Sequence, residues 1–563
     1  MTDTHFTPYP ADLELSHPLL ASTPGPIPNN PARPQQASRP LAPRSLRTPR
    51  TAFAAVLMGL GLAACGQGER TGTLSQLDAQ AAESATQGRE ASLRNETAPS
   101  TGLTDQTAAE DMAVWADSAG IDPSRTVLYS SPALKAVASH DICRNILARN
   151  NRLVGGMVKN DMPLPARPPM GVAVQEPTYG SCLVRLTNQS ATRGRFHRND
   201  YSRRQAFNVN GTRMFLYAED GHWHLYDAQT GKWIKKLNGL AGDAEPHWHG
   251  TDPNLIYFLP TNGVGMKIYQ LDVARNKVSV AADMGKHIRA RWPDAHTAWT
   301  RSEGSPSASG RFWCFMTEHI RHGQWLPRGV FTWDMQKQRI IGSMPISTRP
   351  DHVSMSPSGR YCVVSGDDKT GTRAYRWHFK APYSNTVRTP YLQLHHKSEH
   401  SDLALNKDRH DVYVSIDYQS HRGDVFMMNL DTGEKTPLFP TYQNRTATAL
   451  HISGKAYRKR GWVLVSTYGE HHAATPWQHL RHSAARQWSH RKIFAVSLEK
   501  NPKIRALAYT HSDALSYWAE PHASVNLDFT RILFNSTWNS NNGRDMEAFM
   551  LAIPHHSVDW RTR

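Results

Sequence analysis

Short apolar runs separated by turn signals recur along the chain from about residue 126 onward. Residues 204–237 show the pattern well, because four such runs alternate there with Asn-Gly, Asp-Gly and Thr-Gly pairs. These pairs are typical of tight turns between antiparallel strands. Apolar positions at helical spacing are scarce in the same region. The pattern therefore predicts an all-β fold.

The four-strand unit repeats along the chain. We count seven units at a spacing of roughly 45–70 residues, the last of which contains residues 517–538. Four antiparallel strands at such a period are typical of a β-propeller blade, which must stack on neighbouring blades to bury both faces. We predict a single seven-bladed propeller, with six or eight blades left open. The last unit lacks an outer strand, and we expect residues 181–187 to supply it.

The N-terminal part of the chain has a different composition. Arg47 and Arg50 precede an uncharged run that ends in "LAAC", Leu62–Cys65, which resembles a bacterial lipobox. That resemblance implies an exported protein with a lipid on Cys65, anchored in the cell envelope. We therefore divide the chain into a leader (1–64), a flexible linker (65–125), an N-terminal segment with the closing strand (126–200) and a propeller (201–563).

The net charge and the cysteines indicate which binding partners and which cellular compartment the protein can have. The net charge of +17 favours an anionic partner, although a solvated basic face without a partner is an equal alternative. No zinc-finger spacing or RNA-binding motif is present, so we expect no nucleic acid partner, and we expect a monomer. Cys143 and Cys182 lie in irregular sequence and are the better candidate disulfide pair. Cys314 and Cys362 lie in apolar strands, where buried free thiols are the commoner role.

The turn signatures "SPSGR", "NVNGTR" and "NLDFTR" carry a family resemblance. Over residues 200–555 the repeat resembles the TolB-type propeller, and within that group it is similar to the oligogalacturonate lyases. This resemblance implies a divalent metal held by histidines and a glutamine at blade starts, and β-elimination of acidic pectin fragments. His522 matches a metal-ligand position of that family. Glu520 stands where a second histidine is expected, and Tyr517 lies where the glutamine is expected.

Histidines and acids recur where the innermost strand of each blade begins, so they are expected to converge on one funnel. We predict a divalent metal, Mn, Zn or Fe, held by His400, His451 and His522, with Glu520 or Asp402 completing the set. An equally weighted alternative is that these polar residues tie neighbouring blades together.

Four other residues are candidates for catalysis in the same funnel. His247 or His249 is a candidate general base, because imidazole titrates near neutral pH. Arg203 or Arg204 is a candidate partner for a sugar carboxylate. Three functions remain open on this sequence: an enzyme that acts on an anionic uronate polysaccharide, a binding protein for such a glycan, and a TolB-like scaffold for an envelope protein.

Overall fold

The computed structural model describes residues 141–148, 154–192, 196–366, 369–420, 422–443, 448–470, 476–513 and 516–554. The predicted leader, Cys65 and the linker lie outside these residues, so they stay predictions. None of the helices in the described ranges has the length and apolar character needed to cross a bilayer.

The described residues form seven small antiparallel sheets in a ring, which confirms the seven-bladed propeller. The first strands come from the N-terminal segment and are β1 (Val154–Gly155), β2 (Ala173–Gln175) and β3 (Cys182–Arg185). Blade 1 contains β4 (His197–Arg198), β5 (Arg213–Ala218), β6 (Trp223–Asp227) and β7 (Trp233–Lys236). Blade 2 contains β8 (His247–Trp248), β9 (Leu255–Phe258), β10 (Lys267–Asp272) and β11 (Lys277–Asp283).

The next three blades follow the same order from the channel outward. Blade 3 contains β12 (Phe312–Arg321), β13 (Gln324–Asp334) and β14 (Arg339–Pro345). Blade 4 contains β15 (His352–Met355), β16 (Tyr361–Ser365), β17 (Thr372–Arg376) and β18 (Tyr391–His395). Blade 5 contains β19 (Asp402–Leu405), β20 (Asp411–Asp417), β21 (Asp424–Asn429) and β22 (Lys435–Pro440). In blade 3 the innermost position is reduced to an isolated bridge between Trp299 and Met316.

The last two blades carry extra strands from the N-terminal segment. Blade 6 contains β23 (Thr448–Ser453), β24 (Trp462–Glu470), β25 (Lys492–Ser497) and β26 (Ile504–Tyr509), and β1 pairs with β26 as a fifth strand. Blade 7 contains β27 (Ser524–Val525), β28 (Arg531–Ser536) and β29 (Glu547–Ala552), extended by β3 and β2. The helical segments are short: α1 (Arg144–Leu147), α2 (Gly285–Arg289), α3 (Trp477–Leu480) and 3-10 turns at Gln189–Thr192, Thr261–Gly263 and Tyr517–Ala519.

Ring closure occurs where the sequence predicted it. β3 pairs antiparallel with β29, and Leu183 lies opposite Leu551. Asn199 of blade 1 donates its backbone N–H to the Asn535 side chain of blade 7 at 2.7 Å. Because the first and last parts of the propeller share one sheet, neither end of the ring leaves an open edge between blades.

The apolar core lies between neighbouring sheets rather than in one central mass. Strands β16, β28 and β29 are buried at every residue, since a blade packs on both of its faces. Such strands carry apolar residues on both faces, as Ile532, Leu533 and Phe534 do in β28. Gly211 and Gly221 have φ angles of 68° and 78°, which explains the glycines in the turns before β5 and β6.

Two disulfides cross-link the described residues. Cys143 and Cys182 are joined across a Cα separation of 5.7 Å, as the sequence favoured. Cys314 and Cys362 are also joined, with a Cα separation of 5.5 Å, so the expectation of free buried thiols there was wrong. Apolar strands from blades 3 and 4 lie face to face at that point, which brings two buried thiols together although 48 residues separate them in sequence.

Candidate functional site

Four of the five predicted metal ligands converge on the channel wall between blades 5, 6 and 7. The Nε2 atom of His451 lies 2.7 Å from a carboxylate oxygen of Glu520, and the Nε2 atom of His522 lies 3.6 Å from the same oxygen. His400 stacks on His451 with a ring-centroid distance of 4.4 Å. His451 in turn stacks on His522 at 4.3 Å. We call His451, Glu520 and His522 the HEH cluster; His400 lies beside it.

Burial keeps the imidazoles of this cluster neutral. His451 and His522 are almost completely buried. Burial, followed by the neighbouring imidazoles of His522 and His400, holds the pKa of His451 well below its usual range. Burial and the Arg198 guanidinium do the same to the pKa of His522. Neutral imidazole is the form that binds metal ions, so both rings are in the state that a metal site requires.

The hydrogen bonds of the rings leave nitrogen lone pairs without partners. His522 donates from Nε2 to the carbonyl oxygen of Tyr517 at 3.0 Å, which assigns the lone pair to Nδ1. That Nδ1 atom and the Nδ1 atom of His451 are both buried without a hydrogen-bond partner within the described ranges. Buried unsatisfied nitrogens are costly and call for an explanation such as a bound ion.

The donor set fits a transition metal. Two imidazoles and one carboxylate place ligand atoms within 4.8 Å of one another, which suits Zn, Mn or Fe with a position open to a further ligand. His400 donates from Nδ1 to the Leu450 carbonyl at 2.9 Å and keeps its Nε2 lone pair. Such outer hydrogen bonds fix the orientation of imidazole ligands in metal sites.

Three tyrosines line the HEH cluster, and the ring of Tyr517 lies 4.9 Å from that of His522. The ring of Tyr201 lies 5.1 Å from His522 and 5.4 Å from His451, and Tyr468 stacks on His451 at 4.7 Å. Tyr201 follows the innermost strand of blade 1, and Tyr468 lies on the second strand of blade 6. Only the packing of three blades brings these rings together.

Asp402 lies elsewhere, although the sequence offered it as a fifth ligand. Its Oδ1 atom accepts from Lys455 at 2.7 Å and its Oδ2 atom accepts from the Gly454 N–H at 2.7 Å. Both charged side chains are nearly fully buried, so each is committed to the other. Asp402 is therefore a tie between blades 5 and 6, in line with the alternative that polar residues join neighbouring blades.

The structure gives Arg203 an internal role. From blade 1 its Nη1 atom reaches across the channel to Glu303 at 2.5 Å and to Nε2 of His352 at 2.8 Å, and its Nη2 atom donates to the Glu399 carbonyl at 3.0 Å. These partners belong to the segments that begin blades 3, 4 and 5. The guanidinium group of Arg203 thus occupies the channel, and both of its Nη atoms are already engaged, so it has no free pair of N–H groups for a sugar carboxylate.

Arg204 is committed in the same way. It donates to Asp200 at 2.5 Å and to the Ser302 carbonyl at 2.7 Å, and it is about 5% exposed. Glu303, Asp351 and His352 form a second group of possible ligands. Arg203 already lies against Glu303 and His352, and its charge opposes a cation at that position.

The two candidate bases have different surroundings. Nε2 of buried His247 faces Nη1 of Arg204 at 3.4 Å, and burial followed by Arg204 and Lys455 holds the pKa of His247 well below its usual range. This environment disfavours a base that works near neutral pH. His249 accepts backbone N–H groups of Thr251 and Asp252 on its Nδ1 atom, which makes it a turn residue.

Comparisons with known proteins find matches among solved structures only. No protein-family model matches the chain, and no curated protein matches it in sequence. Among solved structures it is similar to the Pan2 WD40 domain of Neurospora crassa, at 10% identity and a TM-score of 0.37, over 66% of this chain and 94% of that one. It is also similar to the Cps50 (Swd1) β-propeller domain of Myceliophteria thermophila, at 14% identity and a TM-score of 0.29. That match covers 48% of this chain and 95% of the other. The seven sheets of the described residues define the protein as a seven-bladed β-propeller.

Proposed function

We propose that this propeller binds a divalent metal in the HEH cluster and uses it to hold an anionic, uronate-containing glycan at the channel mouth. The observation that carries the proposal is the convergence of His451, Glu520 and His522, whose ligand atoms lie within 4.8 Å of one another. A metal with an open position supplies a Lewis acid that binds a carboxylate. The glycan itself rests on the net charge of +17 and on the lyase resemblance.

The protein contributes the geometry of that site. Glu520 supplies the anionic ligand, the buried rings of His451 and His522 supply neutral nitrogens, and Tyr201 and Tyr468 cover the rings from the side. Glu520 is the ligand with access to solvent, since 14% of its side chain is exposed. We therefore expect the glycan to approach from the Glu520 side.

A second candidate function is cleavage of that glycan by β-elimination. It is favoured by His400, whose Nδ1–H is held by the Leu450 carbonyl so that Nε2 is the basic nitrogen beside the cluster. His247 is poorly suited to that role, because burial, Arg204 and Lys455 lower its pKa. Release of an unsaturated product from pectate, alginate, glucuronan or ulvan, seen as new ultraviolet absorbance, would support cleavage. Its absence with all four would leave binding.

Metal content tests the main proposal. Purified protein is expected to hold one equivalent of Mn, Zn or Fe, and the variants His522→Ala and Glu520→Gln are expected to lose it. His479→Ala, which removes an exposed histidine on α3, is the matched control and should keep the metal. A metal content that is the same in all four proteins, or absent from the wild type after reconstitution, would contradict the proposal.

We also propose that the protein is exported and lipid-anchored through Cys65. Two disulfides in the propeller support export, because such bonds persist in oxidising compartments. The test is mass spectrometry of the mature N-terminus with a Cys65→Ser variant. A mature chain that begins at a lipid-modified Cys65 is expected, whereas an unprocessed chain in the cytosol would contradict this proposal. The remaining alternative, an envelope scaffold, would be favoured by recovery of a single envelope protein with a metal-free propeller.

A further inference from the structure

Residues 158–168 run over blades 6 and 7 without forming a strand or a helix, and we call them the strap. The strap contains Pro163, Pro165 and Pro168. Proline fixes its own φ near −65° and moves the preceding residue into the extended region, so the sequence favours an extended strap. From Pro163 to Arg167 half-buried side chains alternate with exposed ones, as in an extended chain that lies on a surface.

Two tryptophans hold the strap by its backbone. Trp477, on α3 of blade 6, donates from its indole Nε1 atom to the carbonyl oxygen of Pro163 at 3.3 Å. Trp538, which follows β28 in blade 7, donates in the same way to the carbonyl oxygen of Pro165 at 3.1 Å. Because proline has no N–H group, docking such a segment satisfies its acceptors and leaves few donors in need of a partner.

Contacts that do not involve the strap hold the two indoles in place. The imidazole ring of His511 lies between them, 4.6 Å from Trp477 and 4.3 Å from Trp538. Trp538 also stacks on Phe549 at 5.0 Å, and the backbone N–H of Trp477 donates to Asp513 at 2.8 Å. Donors that are already fixed lower the entropy cost of binding an extended peptide.

An arginine makes the charged contact of the strap. Arg167 donates from Nη1 and Nη2 to the two carboxylate oxygens of Asp545 at 2.9 and 2.7 Å, and its Nη2 atom also donates to the Thr537 carbonyl at 2.8 Å. This two-pronged pair depends on a planar guanidinium, which lysine does not offer. The pair is partly exposed, with 24% of the Arg167 side chain and 33% of the Asp545 side chain in contact with solvent. The contact therefore selects for arginine more than it stabilises the fold.

The other end of the strap is also held by backbone carbonyls. The carbonyl oxygen of Asn160 accepts from the Tyr509 hydroxyl at 2.9 Å and from Nη1 of Arg486 at 2.5 Å. Lys492 donates to the carbonyl oxygen of Val158 at 2.7 Å. These three bonds depend on the extended shape of the strap and not on its side chains. Selectivity must therefore come from the prolines and the arginine.

From these contacts we propose that the surface around Trp477 and Trp538, the strap groove, is a recognition site for an extended peptide of the pattern Pro-x-Pro-x-Arg, and that the chain's own strap occupies it as a detachable ligand. Fixed indole donors, carbonyls two residues apart on a proline-stiffened segment, and an acid for the arginine are the elements of proline-rich peptide recognition. The strap groove shares no residue with the HEH cluster, so the two proposals hold or fail independently.

The test is fluorescence anisotropy of a labelled peptide of residues 157–170, titrated with the full-length protein. The variant Pro165→Gly/Arg167→Ala loosens the strap within the chain and leaves the groove unchanged. We expect this variant to unfold cooperatively in denaturant and to bind the peptide about tenfold more tightly than the wild type, whose own strap competes at a high effective concentration. A peptide of the same composition in scrambled order should not bind.

Charge reversal in the loosened variant tests the contact with the arginine. Asp545→Arg should weaken binding of the peptide about tenfold, and a peptide that carries Arg167→Glu should bind only to the Asp545→Arg protein. Trp538→Phe, which keeps an aromatic ring but removes the indole N–H, should weaken binding about threefold. Glu434→Arg, at an exposed position of blade 5, is the control and should leave the affinity unchanged.

Equal binding of the scrambled peptide, no saturable binding to the loosened variant, or an unchanged affinity in Asp545→Arg would overturn the proposal. A loosened variant that does not fold would also overturn it, because the strap would then be part of the core and not a detachable ligand.

Discussion

His451 and Glu520 lie 2.7 Å apart although 69 residues separate them in the chain. The contact joins the inner strand of blade 6 to the segment that begins blade 7. It places a carboxylate where the resemblance to oligogalacturonate lyases implies a histidine. The exchange changes the chemistry of the site, because a carboxylate is a harder and more anionic ligand than imidazole.

Glu520→His is expected to shift the metal preference of the HEH cluster. An all-imidazole set favours Zn over Mn, and we expect the ratio of bound Zn to bound Mn to rise at least tenfold. Competition between the two metals followed by elemental analysis measures this ratio. Glu434→His, at an exposed position in blade 5, is the control. An unchanged ratio would show that Glu520 is not a ligand.

The charge network in the channel is expected to stabilise the fold. Arg203→Met leaves Glu303 without its partner at 2.5 Å and removes the bond to His352, so the free energy of unfolding should fall by about 3 kcal/mol. Glu303→Gln should lower the free energy of unfolding by less, because a third of the Glu303 side chain is exposed and solvent screens its charge.

Denaturant titration of the two single variants and the double variant Arg203→Met/Glu303→Gln measures the coupling. We expect the double variant to lose about 1 kcal/mol less than the sum of the single losses. Strictly additive losses would mean that the two side chains do not interact.

His511 is expected to make the fold sensitive to acid. It lies between the rings of Trp477 and Trp538, at 4.6 and 4.3 Å, and neither ring nitrogen has a partner in the described part of the chain. Burial lowers its pKa from 6.5 to about 3. The unfolded chain therefore binds a proton at His511 that the folded chain does not bind. The free energy of unfolding consequently falls as the pH drops from about 6.5 towards 3.

His511→Phe should remove this dependence. Between pH 6.5 and pH 3.5 the variant should lose about 3 kcal/mol less stability than the wild type. Denaturant titrations at both pH values measure the difference, and His479→Phe at an exposed position is the control. Equal losses of stability in His511→Phe and the wild type would show that His511 does not cause this pH dependence.

The disulfide between Cys143 and Cys182 is expected to hold the closing strand. It links the residue before α1 to β3, 39 positions further along the chain. Replacing both cysteines by serine should lower the free energy of unfolding by about 3 kcal/mol. A thiol assay on the unfolded, unreduced wild type should detect none of the four propeller cysteines. Reactive thiols at these positions would show that the pairs do not form.

Most of the fold was predictable because blade structure is local. Three of the four apolar runs predicted between residues 204 and 237 correspond to β5, β6 and β7, whereas the innermost strand of blade 1 is β4, which precedes that stretch. The closing strand was predictable because the sequence pattern left blade 7 one strand short. Residues 181–187 offered a strand that belonged to no other blade. The Cys314–Cys362 bond was missed because buried thiols in apolar strands give no sign of which strands will face each other.

The candidate site was predictable only in part. His400, His451, His522 and Glu520 were identified from their recurrence at blade starts, and they lie together. Asp402 and Arg203 share the same kind of position but have charged partners on other blades. Nothing in the neighbouring sequence distinguishes the two cases, because the partners of Arg203 lie 100 to 196 residues away.

The sequence by itself determined the blade repeat, its turns and the strand that closes the ring, since these depend on apolar runs and on turn residues near each other in the chain, and it favoured seven blades over six or eight. Only the tertiary structure decided which polar groups form the HEH cluster, that Arg203 fills the channel, and that His247 lies against Arg204. Ring closure brings together residues from distant blades, and whether a buried charge meets an opposite charge, a lone pair or open space is settled by that long-range packing.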